Sequence, residues 1–311
     1  MKLIDVHKQF DSQDKCLDYL EAMRWPKGVC CVECGSLKVS KIKRGKASKN
    51  KQNRIYQCLE KACGHQFSIT AGTIFHDSHL PLEKWFLAIA LICEGKKSIS
   101  ANQMARHLGV NYRTAWHLCH RIRAAMVETG EPLTGAVEAD TTLIGPKVLR
   151  KGKPWRKKEG FDTVLGMIER GGKLRLMPVA DSKRKILQPA IEKHISKDVA
   201  VIYTDEHPIY PWVFKDNFAG KHQTIEHKHA YVIGNTHTNT IENVFSLFKR
   251  ALKGSFHHVS IKHLRRYCEE FSYRFNRRGI QGQLFDETLR NIVRGKALPY
   301  KTLTASQVSA S

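Results

Sequence analysis

Three acidic residues, far apart in the sequence, stand where a metal-dependent reaction could use them. Asp205 ends a short apolar and β-branched run, residues 199–204, which predicts a buried strand. Asp140 and Glu138 lie two residues apart in a second strand-like segment, so their side chains share one face. Glu242 falls in an early turn of a predicted helix that opens at Thr238. We therefore expect Asp140, Asp205 and Glu242 to meet in one metal site.

The chemistry that such a site would serve is phosphodiester transfer. Two divalent ions about 4 Å apart can activate an attacking oxygen and stabilise the leaving one. Carboxylate oxygens suit Mg²⁺, which needs few protein ligands because water and phosphate complete its shell. Lys249 lies two helical turns after Glu242 and could reach a bound phosphate. Spacing alone equally allows Asp140 and Asp205 to be strand-end caps, with Glu242 balancing a helix dipole.

The cysteines indicate a second metal site of a different kind. Of nine cysteines, four form two close pairs, each followed by glycine: Cys31 with Cys34, and Cys58 with Cys63. Close pairs brought together by a loop are what tetrahedral Zn²⁺ coordination requires, so we expect a structural zinc ribbon. Cys30 could replace Cys31, but Cys31 gives the usual gap of two residues.

Residues 98–123 have the pattern of a helix-turn-helix. Apolar residues recur at helical spacing on both sides of a Leu-Gly-Val turn, and the second helix carries polar and basic side chains. Any compact helical hairpin shows a similar pattern. In this basic chain we expect residues 111–123 to contact DNA, with Arg113, His117 and Arg121 pointing outward.

The overall charge favours a polyanionic partner. The 311 residues carry a net charge of +23, and the lysines and arginines are spread along the chain. A dense basic segment at residues 147–158 is either a solvated linker or a loop that grips DNA. No run approaches the roughly 18 apolar residues of a membrane span, and no signal peptide pattern is present, so we expect a cytoplasmic protein without a membrane partner.

The order of the strands and helices that carry these residues predicts an α/β protein. In its second half, three strands, a helix, a strand and a further helix follow one another, with a hairpin signal at residues 170–172. This order predicts a mixed sheet flanked by helices.

Several motifs in this order resemble one known family. They are WPKGVCCVECGS (residues 25–36), FSITAGTIF (67–75), EADTTLIG (138–145), YTD (203–205), HTNTIENVFSLFKR (237–250), KGSFHHVS (253–260) and RFNRR (274–278). Together they resemble the DDE transposases of bacterial insertion sequences, of the ISXO type with an N-terminal zinc ribbon and an RNase H-like catalytic domain. The resemblance covers nearly everything from Trp25 to Arg278.

The resemblance implies a division of the chain and a set of roles. Together with the residue patterns, it predicts an N-terminal helix and zinc ribbon (1–79), a helix-turn-helix module (80–130), an RNase H-like DDE catalytic domain (135–290) and, from its small and polar composition, a flexible tail (291–311). Asp140, Asp205 and Glu242 would hold Mg²⁺ or Mn²⁺, with Asn239 as a neighbour that could assist.

The resemblance also implies the reaction and its partners. The enzyme would bind the terminal inverted repeats of an insertion sequence, cleave the ends and join their 3′ hydroxyls to target DNA, as a homodimer or higher assembly. The alternatives are a metal nuclease that cuts without joining, a zinc-ribbon regulator with structural carboxylates, and an inactive copy.

Overall fold

The computed structural model describes residues 1–42, 54–145, 162–224, 238–257 and 259–305. Its chain divides into two compact units, one made of Met1–Met126 with Ile280–Ser311, the other of Val127–Gly279. The basic segment at residues 147–158 lies outside the described residues. Among the described residues, no helix is long and apolar enough to cross a membrane.

The helices in chain order are α1 (Leu3–Gln9), α2 (Gln13–Arg24), α3 (Leu82–Glu94), α4 (Ala101–Leu108), α5 (Tyr112–Ala125), α6 (Arg184–His194), α7 (Tyr210–Phe214), α8 (Asn239–Ala251), α9 (Ile261–Asn276), α10 (Leu284–Arg294) and α11 (Tyr300–Thr304). The strands are β1 (Val39–Lys41), β2 (Ile55–Cys58), β3 (Gln66–Ser68), β4 (Ala136–Ile144), β5 (Asp162–Glu169), β6 (Leu174–Val179), β7 (Val201–Thr204) and β8 (His222–Thr224). A π-helical segment, Leu252–Phe256, directly follows α8.

The first unit joins a small antiparallel sheet to a helical core. The strands pair in the order β1-β2-β3 and carry the cysteine-rich segment. The apolar helix α3 packs against α1 and α2. The rings of Phe10 and Phe86 meet edge-on within this contact, with 4.7 Å between their centroids. Helices α4 and α5 form a hairpin across a turn at Gly109, whose φ of 60° is the left-handed conformation of a helix C-cap.

The C-terminal segment differs from the flexible tail expected for residues 291–311. Helix α10 packs against α2, α3 and α5, because Leu284, Leu289 and Ile292 lie on one apolar stripe. Leu303 on α11 is also buried. Residues from 280 onward therefore belong to the first unit rather than to the expected catalytic domain at 135–290. Residues 306–311 lie outside the described residues.

The second unit is built on a five-stranded mixed sheet in the order β6-β5-β4-β7-β8. Strands β6, β5 and β4 pair antiparallel, whereas β4, β7 and β8 pair parallel. One apolar cluster includes residues of α6 and α7, and a second includes residues of α8 and α9. The RNase H-like mixed sheet flanked by helices is thus confirmed. Among the described elements of this unit, the sequence analysis did not predict α7, β8 or the π-helical segment; α7 and β8 are short and lie in a stretch without clear periodicity.

The central strand β4 presents different residues to the two clusters. Val137 and Ala139 belong to the cluster with α6 and α7. Because side chains alternate along a strand, Glu138 and Asp140 face the opposite side, where α8 packs. The predicted common face of Glu138 and Asp140 is therefore the face that meets the helix carrying Glu242.

Candidate active site and zinc ribbon

Four cysteine sulfurs converge in the first unit. The sulfur atoms of Cys31, Cys34, Cys58 and Cys63 all lie within 4.8 Å of one another. Two of the separations are 3.7 Å, from Cys31 to Cys63, and 3.6 Å, from Cys34 to Cys58. Thiolates about 2.3 Å from a tetrahedral Zn²⁺ stand roughly 3.8 Å apart, so this donor set fits zinc. Cys30 lies outside the cluster.

Each cysteine pair lies on a tight backbone turn that ends in glycine. Gly35 and Gly64 have φ values of 74° and 56°. The Gly35 N–H donates to the carbonyl of Cys31, and that of Gly64 to the carbonyl of Glu60. Glycine adopts this conformation without steric cost, which explains why one follows each pair.

In the second unit, strand pairing brings Asp140 and Asp205 to the same level of the sheet. Asp140 lies within β4, and Asp205 directly follows β7. The parallel register pairs Glu138 with Tyr203. Two residues further along each strand, Asp140 is level with Asp205.

The buried carboxylate of Glu138 links the helix that carries Glu242 to the strand that carries Asp140. Glu138 is fully buried and accepts the backbone N–H groups of Thr240 and Ile241, both at 2.9 Å, at the start of α8. It also accepts the Thr240 hydroxyl and the Arg170 guanidinium, each at 2.8 Å. A carboxylate at a helix N-terminus satisfies otherwise unpaired N–H groups and the positive end of the helix dipole. Glu138 thereby ties the first turn of α8, which contains Glu242, to the strand of Asp140.

A glycine lets α8 approach the sheet closely at the same point. Gly166 of β5 is the register partner of Asp140. A Cβ at Gly166 would lie 2.7 Å from Ile241 and 2.7 Å from the Phe245 ring, both on α8. Only the absence of a side chain at Gly166 allows this contact.

The three acids are close enough to affect one another. Burial is the main cause that raises the pKa of Asp140 to about 7, and the negative charge of Asp205 is the next. Glu242 acts in the same direction, while the Thr141 N–H, 2.6 Å from Asp140 Oδ1, opposes it. A divalent cation among these carboxylates would relieve the repulsion, and their hard oxygens suit Mg²⁺ or Mn²⁺.

A cleft of about 430 Å³ connects the acids to a basic surface. Asp140 and Glu242 line it together with Lys249, Arg250 and Lys253. Lys249 Nζ donates to the hydroxyl of Thr142 at 2.5 Å, which directs the ammonium along the same face of β4. Carboxylates beside three cations form a site that can hold a metal ion and a phosphate side by side.

Comparison with known proteins matches both parts of this arrangement. Residues 132–276 match the ISXO2-like transposase domain, and residues 11–66 match the transposase zinc-ribbon domain. The two matches confirm the expected resemblance to insertion-sequence transposases with an N-terminal zinc ribbon.

Individual relatives of this transposase are distant. An uncharacterized protein in transposable element ISH50 of Halobacterium salinarum is 27% identical over 261 residues, which cover 79% of this chain and 85% of that protein. Among solved structures, the Mos1 strand transfer complex covers 69% of this chain and 79% of its own, with 12% identity and a TM-score of 0.31. A pre-cleavage Mos1 transpososome covers 68% and 79%, with 12% identity and a TM-score of 0.27. These two structural scores are too low to carry an argument.

The structure places Arg121 differently from the sequence prediction. Its guanidinium was expected to point outward, but the residue is 4% exposed. It donates to the carbonyls of His76, at 2.6 Å, and Ile74, and lies 5.0 Å from the Trp85 ring centroid. Arg121 therefore holds the first unit together, and the expectation that it faces outward is wrong.

Only the beginning of the predicted recognition face is exposed. Arg113 is exposed, whereas His117 is half-buried, with a ring nitrogen 3.3 Å from the carbonyl oxygen of Leu298. Four residues advance an α-helix by about 400°, so positions 113, 117 and 121 drift about 80° around α5. Arg113 is therefore exposed to solvent, whereas Arg121 lies in the core of the first unit. DNA contact by Arg113 stays a prediction, as does the helix-turn-helix role of α4 and α5.

Sequence reasoning missed several residues of the candidate site. Glu138 was noted on the face of Asp140, but its bonds to α8 required the fold. Arg250 and Lys253 lie near Lys249 on the same helical segment, and that spacing could have revealed them. Tyr210, buried near Asp140, had no signal in the sequence.

Proposed function

We propose that this protein is an active DDE transposase that cleaves the ends of its insertion sequence and joins them to target DNA. The proposal is supported by the register that puts Asp140 level with Asp205 on neighbouring strands, and by the cleft that Asp140 and Glu242 line together with Lys249. The match of residues 132–276 to a transposase domain supports the reaction type. Because bacterial DNA lies in the cytoplasm, we expect the protein to act there.

The reaction takes place in two displacements. Water attacks a phosphorus at the element end, breaks its bond to O3′ and leaves a free 3′ hydroxyl. That hydroxyl then attacks a target phosphorus in line, which forms a new phosphodiester and breaks the target's bond to O3′, so a target 3′ hydroxyl leaves. Bound Mg²⁺ or Mn²⁺ would activate the attacking oxygen and stabilise the leaving oxygen.

The chain's own residues do the holding and the positioning. Asp140, Asp205 and Glu242 are the proposed metal ligands, and Asp140 must lose its proton before it can ligate an ion. Lys249 and its neighbours Arg250 and Lys253 would bind the phosphates of the DNA backbone in the cleft. Asn239, at the start of α8, is a neighbour of the site through its position in the chain.

The first unit would bind the terminal inverted repeats. Its zinc ribbon would be held by Cys31, Cys34, Cys58 and Cys63, and Arg113 would contact the DNA from α5. Two element ends must be held together for joining, so we propose at least a homodimer on DNA.

The test is a cleavage and strand-transfer assay on DNA that carries the element's ends, with Mg²⁺ or Mn²⁺. We expect joined products from the wild type and none from Asp205→Asn, which retains shape but loses a metal-binding charge. Asp198→Asn is the matched control, because Asp198 is exposed before β7 and should be dispensable.

The other outcomes identify the alternatives. Cleavage without joining would indicate a metal nuclease. DNA binding with neither activity, under either metal, would indicate a regulator or an inactive copy. Joined products from Asp205→Asn would contradict the assigned ligand.

A further inference from the structure

Tyr210, the first residue of α7, is a buried tyrosine that the proposed reaction does not yet use. It is 1% exposed, and its ring packs in the cluster that contains Val213 and Phe214. The Phe214 ring stacks on it at 6.2 Å between centroids, and the His207 ring meets it edge-on at 6.2 Å. These contacts hold the ring in place, so the direction of its hydroxyl is set by packing.

Hydrogen bonds attach Tyr210 to the candidate metal ligand Asp205. The backbone N–H of His207 donates to Asp205 Oδ1 at 3.2 Å. The carbonyl of His207 in turn accepts the backbone N–H of Tyr210 at 3.2 Å. The turn after β7 therefore places the start of α7 beside the acids.

The hydroxyl of Tyr210 is buried and has no hydrogen bond of full geometry within the part of the chain that the structure describes, although its interaction with the Asp140 carboxylate lowers the pKa of that group. It nevertheless lies close enough to the acids for Asp140 and Asp205 to add to the effect of burial in raising its pKa. Buried hydroxyls almost always have a partner, and leaving one unmade is costly. A donor this close to a carboxylate can complete its hydrogen bond when an ion draws that carboxylate into its ligating orientation.

We propose that Tyr210 is a positioning residue, whose hydroxyl donates a hydrogen bond to the Asp140 carboxylate in the ion-bound site and holds it in its ligating orientation. This inference rests on the proposed function, because it requires the ion. A carboxylate that gives one oxygen to a metal keeps lone pairs for a donor, and such outer partners orient metal ligands. Loss of a partner of this kind costs about 10- to 100-fold in metal affinity.

The experiment measures Mn²⁺ affinity by titration calorimetry on the full chain, without DNA. Tyr210→Phe removes the hydroxyl and keeps the ring, so we expect Mn²⁺ to bind about tenfold more weakly. In chelator the melting temperature of this variant should be unchanged or higher, since the substitution removes an unsatisfied buried group.

Tyr273→Phe is the matched control, because Tyr273 is a fully buried tyrosine of the same unit. We expect it to keep the Mn²⁺ affinity of the wild type. Unchanged affinity in Tyr210→Phe, with or without a loss of stability, would overturn the proposal. An equal loss of affinity in both variants would overturn it too.

Asp205→Asn separates this proposal from the one it rests on. If Asp205→Asn loses Mn²⁺ binding and Tyr210→Phe does not weaken it, only the role of Tyr210 fails. If Asp205→Asn binds Mn²⁺ as the wild type does, the metal centre of the proposed function fails, and the role of Tyr210 fails with it.

Discussion

Glu138 of β4 accepts the backbone N–H of Thr240 in the first turn of α8, at 2.9 Å. This bond, with the matching one from Ile241, makes the strand of Asp140 and the helix of Glu242 a single structural piece. The buried Glu138 also accepts the Arg170 guanidinium, whose carbon lies 4.2 Å from the Tyr203 ring centroid. The spacing of the candidate ligands thus depends on a carboxylate that is not itself one of the proposed ligands.

Replacing Glu138 by glutamine should therefore disrupt the site from a distance. Glu138→Gln keeps the shape but leaves Arg170 without its buried counter-charge, so we expect the free energy of unfolding to fall by about 3 kcal/mol. Strand transfer should fall at least tenfold. Urea unfolding and the joining assay measure the two effects, and exposed Glu131→Gln should change neither.

The close contact at Gly166 predicts a second effect on α8. Gly166→Ala would push against Ile241 and Phe245, so we expect a loss of about 1–3 kcal/mol in stability and weaker joining. Gly279→Ala is the control, because a Cβ there meets no atom within 4 Å. Equal stabilities of the two variants in urea unfolding would show that α8 does not press on the sheet.

The raised pKa of Asp140 predicts a pH-dependent gain from neutralising it. Between its ordinary value of 3.8 and about 7, the folded chain holds a proton that the unfolded chain releases, so stability falls as pH rises through this range. Asp140→Asn removes that penalty. In chelator it should match the wild type near pH 4 and exceed it above pH 7, by at most about 4 kcal/mol. Melting curves across this range test the sign, and a gain confined to low pH would contradict it.

The cysteine cluster predicts that serine substitutions at Cys58 and at Cys30 differ in their effect on bound Zn²⁺. Cys58→Ser should lose bound Zn²⁺ and destabilise the first unit, because a small sheet has little core without its metal. Cys30→Ser should keep one Zn²⁺ per chain, since Cys30 lies outside the four-sulfur cluster. Metal analysis of the purified variants measures this. Zinc lost from Cys30→Ser would place Cys30 among the ligands.

Replacement of Arg113 and replacement of Arg121, both on α5, should have different effects. Arg113→Ala should keep its melting temperature but bind inverted-repeat DNA more weakly, with a salt dependence reduced by about one charge. Arg121→Ala should instead lower the melting temperature, because it leaves two carbonyls without their donor. Lys96→Ala, which removes an exposed charge from the same unit, is the control for DNA binding. Full DNA affinity in Arg113→Ala would remove Arg113 from the interface.

Features that depend on local chain geometry and residue chemistry could be predicted from the sequence. The cysteine pairs with their glycines predicted the zinc cluster, because a close pair brings two ligands together whatever surrounds it. Alternation in β4 placed Glu138 and Asp140 on one face, and apolar patterning predicted the mixed sheet. The motifs around Asp140, Asp205 and Glu242 were sufficient to suggest the family.

Features that depend on contacts between distant segments could not be predicted from the sequence and required the fold. Arg121 was assigned to solvent from helix spacing, but the neighbours that bury it are 36 to 47 residues away. The bond from Thr240 to Glu138 spans 102 residues, and no local pattern encodes it. The role proposed for the buried hydroxyl of Tyr210 likewise depends on its position beside Asp140. Residue types indicate which groups can react, whereas long-range packing decides which of them meet.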